Sequence, residues 1–287
     1  MKHIILIINY NNYQDTFNCV ESISQLHGDK QFVVVDNGST NDAFDKLSNS
    51  YQQQADIHVI QAPSNLGYSK GIDFGYHYIK EHNLDYDFIH VSNSDIIVED
   101  LDFLTKVESR YQQQPFMMLG PEVITHGVNT SPIGYFRGKE DFFKEMKKLN
   151  FLAKGLYIFS TVTFNCFENK LEGNRNANIS NDVVKRLNNK EHIVPILSGC
   201  YIVFSKDHTN LLDYIYRPMT FLYNEEMLIT YTLLTHDIDY RQIAYDPNLQ
   251  VIHKHGGSSK GASKRKAKFI MDNYQLFKKK LQEGNEQ

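Results

Sequence analysis

The side chain of Asp95 stands at a position where a carboxylate could do chemistry. It ends a short polar corner, Asn93-Ser94-Asp95, that follows the apolar run 88–91 and precedes the apolar residues 96–98. In an α/β sheet such a corner lies at the carboxyl end of a strand, where ligands bind. A carboxylate there could hold a divalent cation through oxygen, and the cation could bridge a diphosphate. The alternative is an aspartate that only caps a turn.

Two further polar strand ends come earlier in the chain. Asp36 follows the apolar run 32–35, and Asn9, Tyr10 and Asn11 follow the first apolar run. A carboxylate just past a buried strand accepts two hydrogen bonds, which suits ribose hydroxyls or a base N–H. The sequence Asp-Asn-Gly-Ser that begins at Asp36 is equally ordinary turn chemistry, so both interpretations stay open.

A glycine-rich junction follows the third apolar run and contains Asn65, Gly67, Lys70 and Gly71. The two glycines would allow close backbone approach to a ligand, and a helix N-terminus favours a diphosphate. Lys70 could add a point charge. The alternative is a helix start with packing glycines. The sequence has no G-x-G-x-x-G after the first strand and no Walker sequence, which excludes the usual dinucleotide and P-loop interpretations.

Glu225 and Glu226 open a predicted helix late in the chain. A carboxylate near a bound hydroxyl could act as a general base. Adjacent residues on a helix point about 100° apart, so only one of the pair could do this. The alternative is that both carboxylates only offset the helix dipole.

His253 and His255 follow another predicted strand, beside Gly-Gly-Ser. Alternate residues of a strand point to opposite sides, so only one of the two histidines would face the Asp95 site. Imidazole is a common metal ligand, and a histidine near a carboxylate at a strand end is compatible with a metal site. The alternative is a structural or exposed histidine.

The elements that must position these residues alternate between strand and helix patterns over the first hundred residues. Continuous apolar runs of four to eight residues predict buried strands, and apolar residues at helical spacing between them predict helices. The series predicts a doubly wound, mostly parallel α/β sheet flanked by helices. The four predicted strands are 3–8, 31–35, 57–60 and 88–91.

The pattern is weaker after residue 120. Residues 129–139 are turn-rich, 156–167 are aromatic and β-branched, and 165–189 are crowded with Asn and Lys. A helix is predicted from Glu225 with Met227, Tyr231 and Leu234 on one face. The other predicted elements are helices at 102–111, 140–152 and 262–281, strands at 116–119, 239–244 and 249–252, and a turn between apolar segments at 195–204.

The bulk composition excludes several classes of protein. A net charge of −4 gives no global case for nucleic-acid binding. The three cysteines lie far apart without metal-type spacing and are typical of free thiols in a reducing compartment. Since no apolar run approaches the ~20 residues of a spanning helix, we expect a cytoplasmic protein that could still lie on a membrane.

Taken together and in this order, the motifs resemble those of inverting family 2 glycosyltransferases with the GT-A type fold. They are most similar to the bacterial rhamnosyl- and galactofuranosyl-transferase-like members that build surface polysaccharides. Each motif is weak alone, but the ordered set is specific, and it covers about residues 3–120 and 195–258. The matching segments are 3–12, Val35 to Thr40, Asn65 with Gly67 and Gly75, Asn93-Ser94-Asp95 at the D-x-D position, Tyr223 to Glu226, and His253 to Gly256.

The resemblance implies a role for each segment. Asn9, Tyr10, Asn11, Asp36, Asn65, Gly67, Lys70 and Asn93-Ser94-Asp95 would bind the nucleotide sugar, Asp95 and His253 would hold Mg²⁺ or Mn²⁺, and Glu226 or Glu225 would be the base. Two departures matter. Asn93 replaces the first acidic residue of the metal motif, so metal dependence is open. Glu226 stands where Asp is usual, and it is favoured over Glu225 because it aligns with the family's base.

The resemblance also implies a domain plan and partners. Residues 1–259 would form the GT-A domain, with a nucleotide-binding half (1–120), a variable insertion (121–194) and an acceptor half (195–259). Residues 260–287 would form a basic amphipathic helix that either packs on the domain or attaches to anionic lipid. The donor would be UDP- or dTDP-linked, and the acceptor a glycan or lipid-linked hydroxyl. The alternatives are a catalytically silent sugar-nucleotide-binding subunit and a nucleotidyltransferase.

Overall fold

The computed structural model describes residues 1–145, 168–189, 191, 193–221, 225–236 and 238–254. Strands and helices alternate up to residue 93, as the apolar runs predict. The strands are β1 (Lys2–Asn9), β2 (Asp29–Asp36), β3 (Ile57–Gln61), β4 (Phe88–Asn93), β5 (Ile96–Ile97), β6 (Met118–Thr125), β7 (Val128–Asn129), β8 (Gly134–Phe136), β9 (Val194–Ile196), β10 (Tyr201–Ser205) and β11 (Ile243–His253). The helices are α1 (Tyr13–Ser24), α2 (Ala43–Tyr51), α3 (Tyr68–Glu81), α4 (Phe103–Gln113), α5 (residues 138–145), α6 (Glu168–Asn188), α7 (Lys206–Leu211) and α8 (Glu225–Thr235).

The described strands form a central nine-stranded sheet in the order β3-β2-β1-β4-β10-β6-β11-β5, with β7 beside β6. The pairs from β3 to β4 are parallel. β10 is antiparallel to both β4 and β6, so β6 and β11 again run in the direction of β1. The predicted α/β sheet is therefore confirmed, and it is mixed rather than mostly parallel in its second half. β8 and β9 form a separate antiparallel pair.

The core fills both faces of this sheet. Successive residues of a strand point to opposite faces, so Ile4 and Leu6 pack with α3 while Ile5 and Ile7 pack with α1 and α4. α3 lies close to the sheet at Gly75, where an added Cβ would overlap Leu6 and lie 2.8 Å from Val35 Cγ2. Close packing thus fixes the position of the helices on the first half of the sheet, and the loops that follow its strands begin at fixed positions.

The later elements differ from the predictions in four places. The two predicted strands near the end are one strand, β11, with a register shift between Asp246 and Gln250 where the chain folds on the Asp246 carboxylate. The turn-rich region 129–139 contributes to β7 and contains β8, and the Asn- and Lys-rich region contains α6. α8 is buried around most of its circumference instead of on one face. Composition and periodicity do not detect these features, because tertiary packing decides them.

Several predictions concern parts of the chain outside the described residues. These are residues 146–152 of the predicted helix 140–152, the aromatic stretch 156–167, the motif residues Tyr223 and Asn224, the residues His255 and Gly256, and the tail helix 262–281. Among the described residues, none of the helices combines the length and apolar character that crossing a membrane requires.

Candidate functional site

The carboxyl ends of β1, β2, β4 and β11 meet at one edge of the sheet, and the candidate residues lie there. Asn9 at the end of β1 is paired in register with Asp36 at the end of β2. Ile8 is paired with Asn93 at the end of β4. Neighbouring strands lie about 4.8 Å apart, so the three polar strand ends predicted from the sequence are brought together.

Asp36 and Asn9 are both fully buried and bonded to each other. Asn9 Nδ2 donates to Asp36 Oδ2 at 2.8 Å, and the backbone N–H of Ser39 donates to Asp36 Oδ1 at 2.9 Å. Asn9 Oδ1 accepts from the Thr16 hydroxyl at 3.0 Å. Each oxygen of the Asp36 carboxylate has a second lone pair that could accept a hydrogen bond. In this conformation, however, Asn9 and Asp36 join two loops, and these loops cover both side chains.

The loop after β1 is fixed by the same cluster. Asn11 has a positive φ of 59°, a backbone region that Asn tolerates better than most residues. Its side chain accepts from the Thr40 N–H at 2.8 Å, and its own N–H donates to Ser39 Oγ at 2.8 Å. Tyr10 is partly buried and Asn11 exposed, so a ligand would meet these two before it met Asp36.

Asn37 connects the end of β2 to the glycine-rich junction. Its Nδ2 donates to the carbonyl of Gly67 at 2.9 Å, and its Oδ1 accepts from the N–H of Leu66 at 3.1 Å. Asn65 Oδ1 accepts from the N–H of Gly67 at 2.9 Å. Asn37 and Asn65 thus shape the turn that starts α3, and both polar side-chain atoms of Asn37 bond within the protein.

The space beside the two glycines is filled by protein atoms. A Cβ at Gly67 would overlap the backbone of Phe221, and Gly67 also has a positive φ of 80°. A Cβ at Gly71 would lie 3.1 Å from Asn37 Nδ2. The structure therefore gives both glycines a packing reason, the alternative that the sequence left open. Lys70 is exposed on the first turn of α3, where its charge remains accessible.

Asp95 and His253 are brought together from β4 and β11. His253 Nε2 lies 3.2 Å from Asp95 Oδ1, and the two side chains keep 15% and 10% of their surface exposed. The N–H of Lys254 donates to the carbonyl of Asp95 at 2.9 Å, which ties the end of β11 to the corner after β4. The sequence placed one of the two late histidines beside Asp95, and in the structure it is His253.

Glu226 lies at the start of α8 and reaches the turn between β9 and β10. Its carboxylate is so close to the backbone of Gly199 that a Cβ there would overlap it. Burial raises the pKa of Glu226, while the N–H groups of Glu226 and Gly199 act in the opposite direction. Tyr68 on α3 donates its hydroxyl to the carbonyl of the same glycine at 2.5 Å. Glu226 and Tyr68 therefore hold the two sides of one peptide turn.

Glu225 is more deeply buried than its neighbour, with 3% of its surface exposed. Its Oε1 lies 2.9 Å from Thr220 Oγ1, and burial followed by repulsion from Glu226 raises its pKa to about 8. A general base must be ionised at the working pH. At neutral pH this favours Glu226 over Glu225 as the base.

The Asp95 and Glu226 carboxylates both act electrostatically on Tyr68 and Cys200. Burial raises the pKa of Tyr68 well above its usual range, and the charges of Glu226 and Asp95 both add to this shift. The same two carboxylates contribute to the pKa of Cys200, which burial raises to about 12. An anionic ligand could bind between the two carboxylates only if a cation or donor groups offset their charge.

Residues 4–171 match the family described as Glycosyl transferase family 2, which is more than half of the chain. The chain belongs to glycosyl transferase family 2. The matched segment contains the strand ends from Asn9 to Asp95, whereas Glu225, Glu226 and His253 lie beyond it. The family is thus shown, and the resemblance to rhamnosyl- and galactofuranosyl-transferase-like members stays a prediction.

One curated relative of this chain is the low-salt glycan biosynthesis hexosyltransferase Agl10 of Haloferax volcanii. It is 30% identical over 131 residues, which are 45% of this chain and 39% of the relative. The match therefore spans about two fifths of the length of that relative.

Two solved structures share the fold. Residues 1–349 of S. aureus TarS superpose with a TM-score of 0.50 and 12% identity, over 90% of this chain and 59% of that one. Pyrobaculum calidifontis mannosyltransferase PcManGT, solved with GDP-Man and Mn²⁺, gives a TM-score of 0.54 and 9% identity, over 90% of this chain and 58% of that one. At these identities the likeness supports the predicted GT-A type architecture of the family 2 chain and says nothing about its substrate.

Glycosyltransferases with this fold commonly use a divalent cation, so the fit of the site to a metal was tested. Two neighbouring ligands of an octahedral ion at about 2.1 Å lie about 3 Å apart, and the Asp95–His253 separation of 3.2 Å is close to this value. A carboxylate with an imidazole suits Mn²⁺ better than Mg²⁺, which prefers oxygen. Within the described ranges, no three His, Cys, Asp or Glu side chains converge, so a bound diphosphate would have to supply further ligands.

Sequence reasoning on this family 2 chain missed four residues of the site region: Asn37, Tyr68, Ser69 and Thr220. Asn37 directly follows Asp36, and Tyr68 directly follows Gly67. Both therefore lie inside motifs that the sequence analysis had selected. Ser69 lies in the same junction as Tyr68, directly before Lys70. Thr220 carried no signal, because it is 151 positions from Ser69 in the sequence and meets it only through folding.

Proposed function

We propose that this family 2 chain transfers a sugar from a nucleoside-diphosphate sugar to an acceptor hydroxyl, with inversion at the anomeric carbon. The observation that carries the proposal is the Asp95–His253 pair, whose carboxylate acts electrostatically on Tyr68 and Cys200 together with the carboxylate of Glu226. The Asp95–His253 pair suits the diphosphate side of the donor, and the Glu226 carboxylate suits a reacting hydroxyl.

Transfer would be a single displacement. The acceptor oxygen attacks the anomeric carbon and forms the new C–O bond while the bond to the diphosphate breaks and its electron pair leaves with the nucleoside diphosphate. Glu226 takes the proton of the acceptor hydroxyl. Attack from the side opposite the leaving group gives inversion.

Asp95 and His253 would hold a divalent cation, Mn²⁺ or Mg²⁺. When bound, the cation supplies positive charge that offsets the charge developing on the leaving diphosphate. Lys70, exposed at the first turn of α3, would add a second positive charge on the same side. The remaining polar corner, Asn93 and Ser94, is partly exposed and offers neutral hydrogen-bonding groups to phosphate oxygens.

The nucleoside would lie over the ends of β1 and β2, against Tyr10 and Asn11 and the loop shaped by Asn65 and Gly67. Asp36 would accept from the base or ribose only if the loops that cover it move. We propose a UDP- or dTDP-linked donor and a glycan or lipid-linked acceptor, in the synthesis of a bacterial surface polysaccharide. Residues 1–259 would form the catalytic unit of a cytoplasmic enzyme.

We also propose that the basic tail, residues 260–287, brings this unit to anionic lipid and to a lipid-linked acceptor. Flotation with vesicles that contain anionic lipid tests this directly. The full chain should float with the vesicles, and a chain that ends at Ser259 should not. Flotation of both chains would remove the tail as the anchor.

The donor is tested with a panel of nucleotide sugars in a thermal-shift assay, because a ligand that binds only the folded state raises Tm, and at equal concentration a tighter ligand raises it more. The compounds that stabilise the protein are then offered with acceptors, and release of nucleoside diphosphate is measured. Stabilisation together with release supports the proposal. No stabilisation by any nucleotide sugar would exclude it.

A catalytically silent binding subunit is the second candidate, because Asn93 stands where the metal motif has its first acid. The same assay separates the two functions. A silent subunit would be stabilised by a nucleotide sugar but would neither transfer nor hydrolyse it at any Mn²⁺ or Mg²⁺ concentration.

A further inference from the structure

A chain of buried hydroxyl groups leads from α3 to Glu225. Ser69 Oγ lies 2.5 Å from the carbonyl oxygen of Thr220, and Thr220 Oγ1 lies 3.1 Å from Ser69 Oγ. Thr220 Oγ1 also lies 2.9 Å from Glu225 Oε1. The exposed fractions of Ser69, Thr220 and Glu225 are 0%, 2% and 3%, so bulk water does not take part in these contacts.

The three contacts need three hydrogens, and the hydroxyl groups supply two of them. A carbonyl only accepts, so the Ser69 hydrogen points to the Thr220 carbonyl. The single Thr220 hydrogen can then point to Ser69 Oγ or to Glu225, but not to both. A carboxylic acid at Glu225 supplies the missing hydrogen: it donates to Thr220 Oγ1, Thr220 donates to Ser69 Oγ, and Ser69 donates to the carbonyl.

The charges around Glu225 favour the same protonation state. The titratable groups that face it are Glu226 on its own helix, Tyr68 on α3 and Tyr216, and none of these carries a positive charge. Burial is the largest cause that raises the pKa of Glu225, and repulsion from Glu226 adds to it. Among the described residues, Glu225 has only its own backbone N–H and the Thr220 hydroxyl acting in the opposite direction. Glu226 faces two backbone N–H groups, those of Glu226 and Gly199, which stabilise a negative charge.

We propose that Glu225 is a neutral carboxylic acid that fastens the first turn of α8 to α3 and leaves Glu226 as the single negative charge of the pair. Glu225 is then a positioning residue for the base, and this role rests on the proposed function. If Glu225 were ionised, only two hydrogens would be available for the three contacts, and one contact would lose its hydrogen bond. It would also place a second negative charge beside Glu226, where an anionic donor would bind.

The kinetic test compares Glu225→Gln, Glu225→Ala and Glu226→Gln at pH 7. Gln is neutral and its amide can donate to Thr220, so Glu225→Gln should keep kcat within about fivefold, the change that one altered neutral hydrogen bond accounts for. The kcat of Glu225→Ala should fall well below that range, because Ala cannot donate a hydrogen bond to Thr220. Glu226→Gln should lose the ~10²–10⁴-fold of a missing base. An equal loss in both Gln variants would overturn the proposal.

The pH dependence of kcat/KM distinguishes this role from a purely structural one, which would not change the pH profile. The kcat/KM of the natural chain for the donor should decline as pH rises through about 8, where Glu225 ionises. The Glu225→Gln variant should lack this decline. The same alkaline decline in both proteins would contradict a titrating Glu225.

A stability measurement tests the proton without any substrate. A carboxyl whose folded pKa of about 8 lies above its ordinary 4.5 stabilises the fold fully below 4.5 and loses this contribution as pH rises to 8. The Tm of the natural chain should therefore fall relative to that of Glu225→Gln across this interval. A constant difference would overturn the inference. If the difference changes as expected but neither protein transfers any sugar, the neutral acid stands and the transferase proposal fails.

Discussion

The polar residues at the carboxyl edge of the sheet have two kinds of role. Asn9, Asp36 and Asn37 are buried, and their side-chain groups bond to neighbouring loops, which fixes the shape of the edge. Asp95, His253 and Glu226 keep part of their surface exposed at the same edge. At the residue scale we therefore propose that the second set carries the function, and the first set fixes the loops at this edge.

Replacing Glu226 by Gln removes the proposed base with almost no change in shape. The turnover number should fall by ~10²–10⁴, as for loss of a general base. The donor affinity measured by calorimetry should stay nearly the same, because the acceptor proton is not transferred when the donor binds. Turnover equal to that of the natural chain would remove Glu226 from the mechanism.

Replacing Asp95 by Asn tests the cation at the residue scale. Calorimetry of nucleoside-diphosphate binding should show tighter binding with Mn²⁺ for the natural chain. This gain should shrink at least about tenfold in the variant, because even outer-shell changes at metal sites cost 10- to 100-fold in affinity. Equal affinity with and without Mn²⁺ in the natural chain would exclude the cation from donor binding.

At the scale of elements, the start of α3 is held at three places. Asn37 bonds to the turn before it, the N–H of Tyr68 donates to Phe221 at 2.6 Å, and Gly75 lets the helix approach the sheet. α8 begins close to the same place and is buried on most sides. The proposed base and the positive helix end of α3 are therefore positioned by packing between elements that are far apart in sequence.

Gly75→Ala tests the close approach of α3. The added Cβ would overlap Leu6 and press on Val35 in a filled core, and overpacking of this kind costs about 1–3 kcal/mol of unfolding free energy. Ala also favours a helix by up to about 1 kcal/mol, which offsets part of the loss. Urea unfolding measures the net change. The control is Gly134→Ala, whose nearest neighbours lie 4.0 Å away, and equal stability of both variants would contradict the close approach.

At the scale of the whole molecule, burial makes several histidines sensitive to acid. His208 is fully buried, and burial lowers its pKa to about 4, against weaker opposition from the carbonyls of Tyr214 and Ile215. His90 is also fully buried, with its pKa lowered well below the usual range by burial and by His3. Acid therefore works against the core on both faces of the sheet.

His208 yields a prediction with a definite sign. Its folded pKa lies below the ordinary 6.5, so its stabilising contribution is complete above pH 6.5 and is lost as pH falls toward 4. The loss amounts to about 3 kcal/mol over this range. In urea unfolding, His208→Gln should lose less stability between pH 7 and pH 4 than the natural chain. The control is the exposed His236→Gln, and an identical pH dependence in all three would contradict the buried neutral imidazole.

Much of the first half of the molecule could be predicted from its sequence. The apolar runs at 3–8, 31–35, 57–60 and 88–91 all form strands, because a strand buried on both faces needs a continuous apolar segment. Polar residues that end such strands must meet at one edge when the strands are parallel. The meeting of Asn9, Asp36 and Asn93 was therefore implied by the sequence alone.

The second half was less predictable because its elements are defined by long-range contacts. α6 has the composition of a loop, and β11 contains a bulge that divides its pattern into two apparent strands. The antiparallel insertion of β10 between β4 and β6 leaves no local signal. Such features depend on which surfaces are available to pack against, and periodicity does not contain that information.

The sequence by itself determined the parallel first half, the polar strand ends and the candidates Asp95, His253 and Glu226. The tertiary structure alone decided the surroundings of these and the neighbouring polar residues. It paired Asp95 with His253, buried Asp36 under its own loops and gave Glu226 the backbone of Gly199. It also set Glu225 against the buried hydroxyl of Thr220, which in turn contacts the buried hydroxyl of Ser69. The physical reason is that burial and proximity decide charge and hydrogen bonding, and both arise only when distant segments pack together.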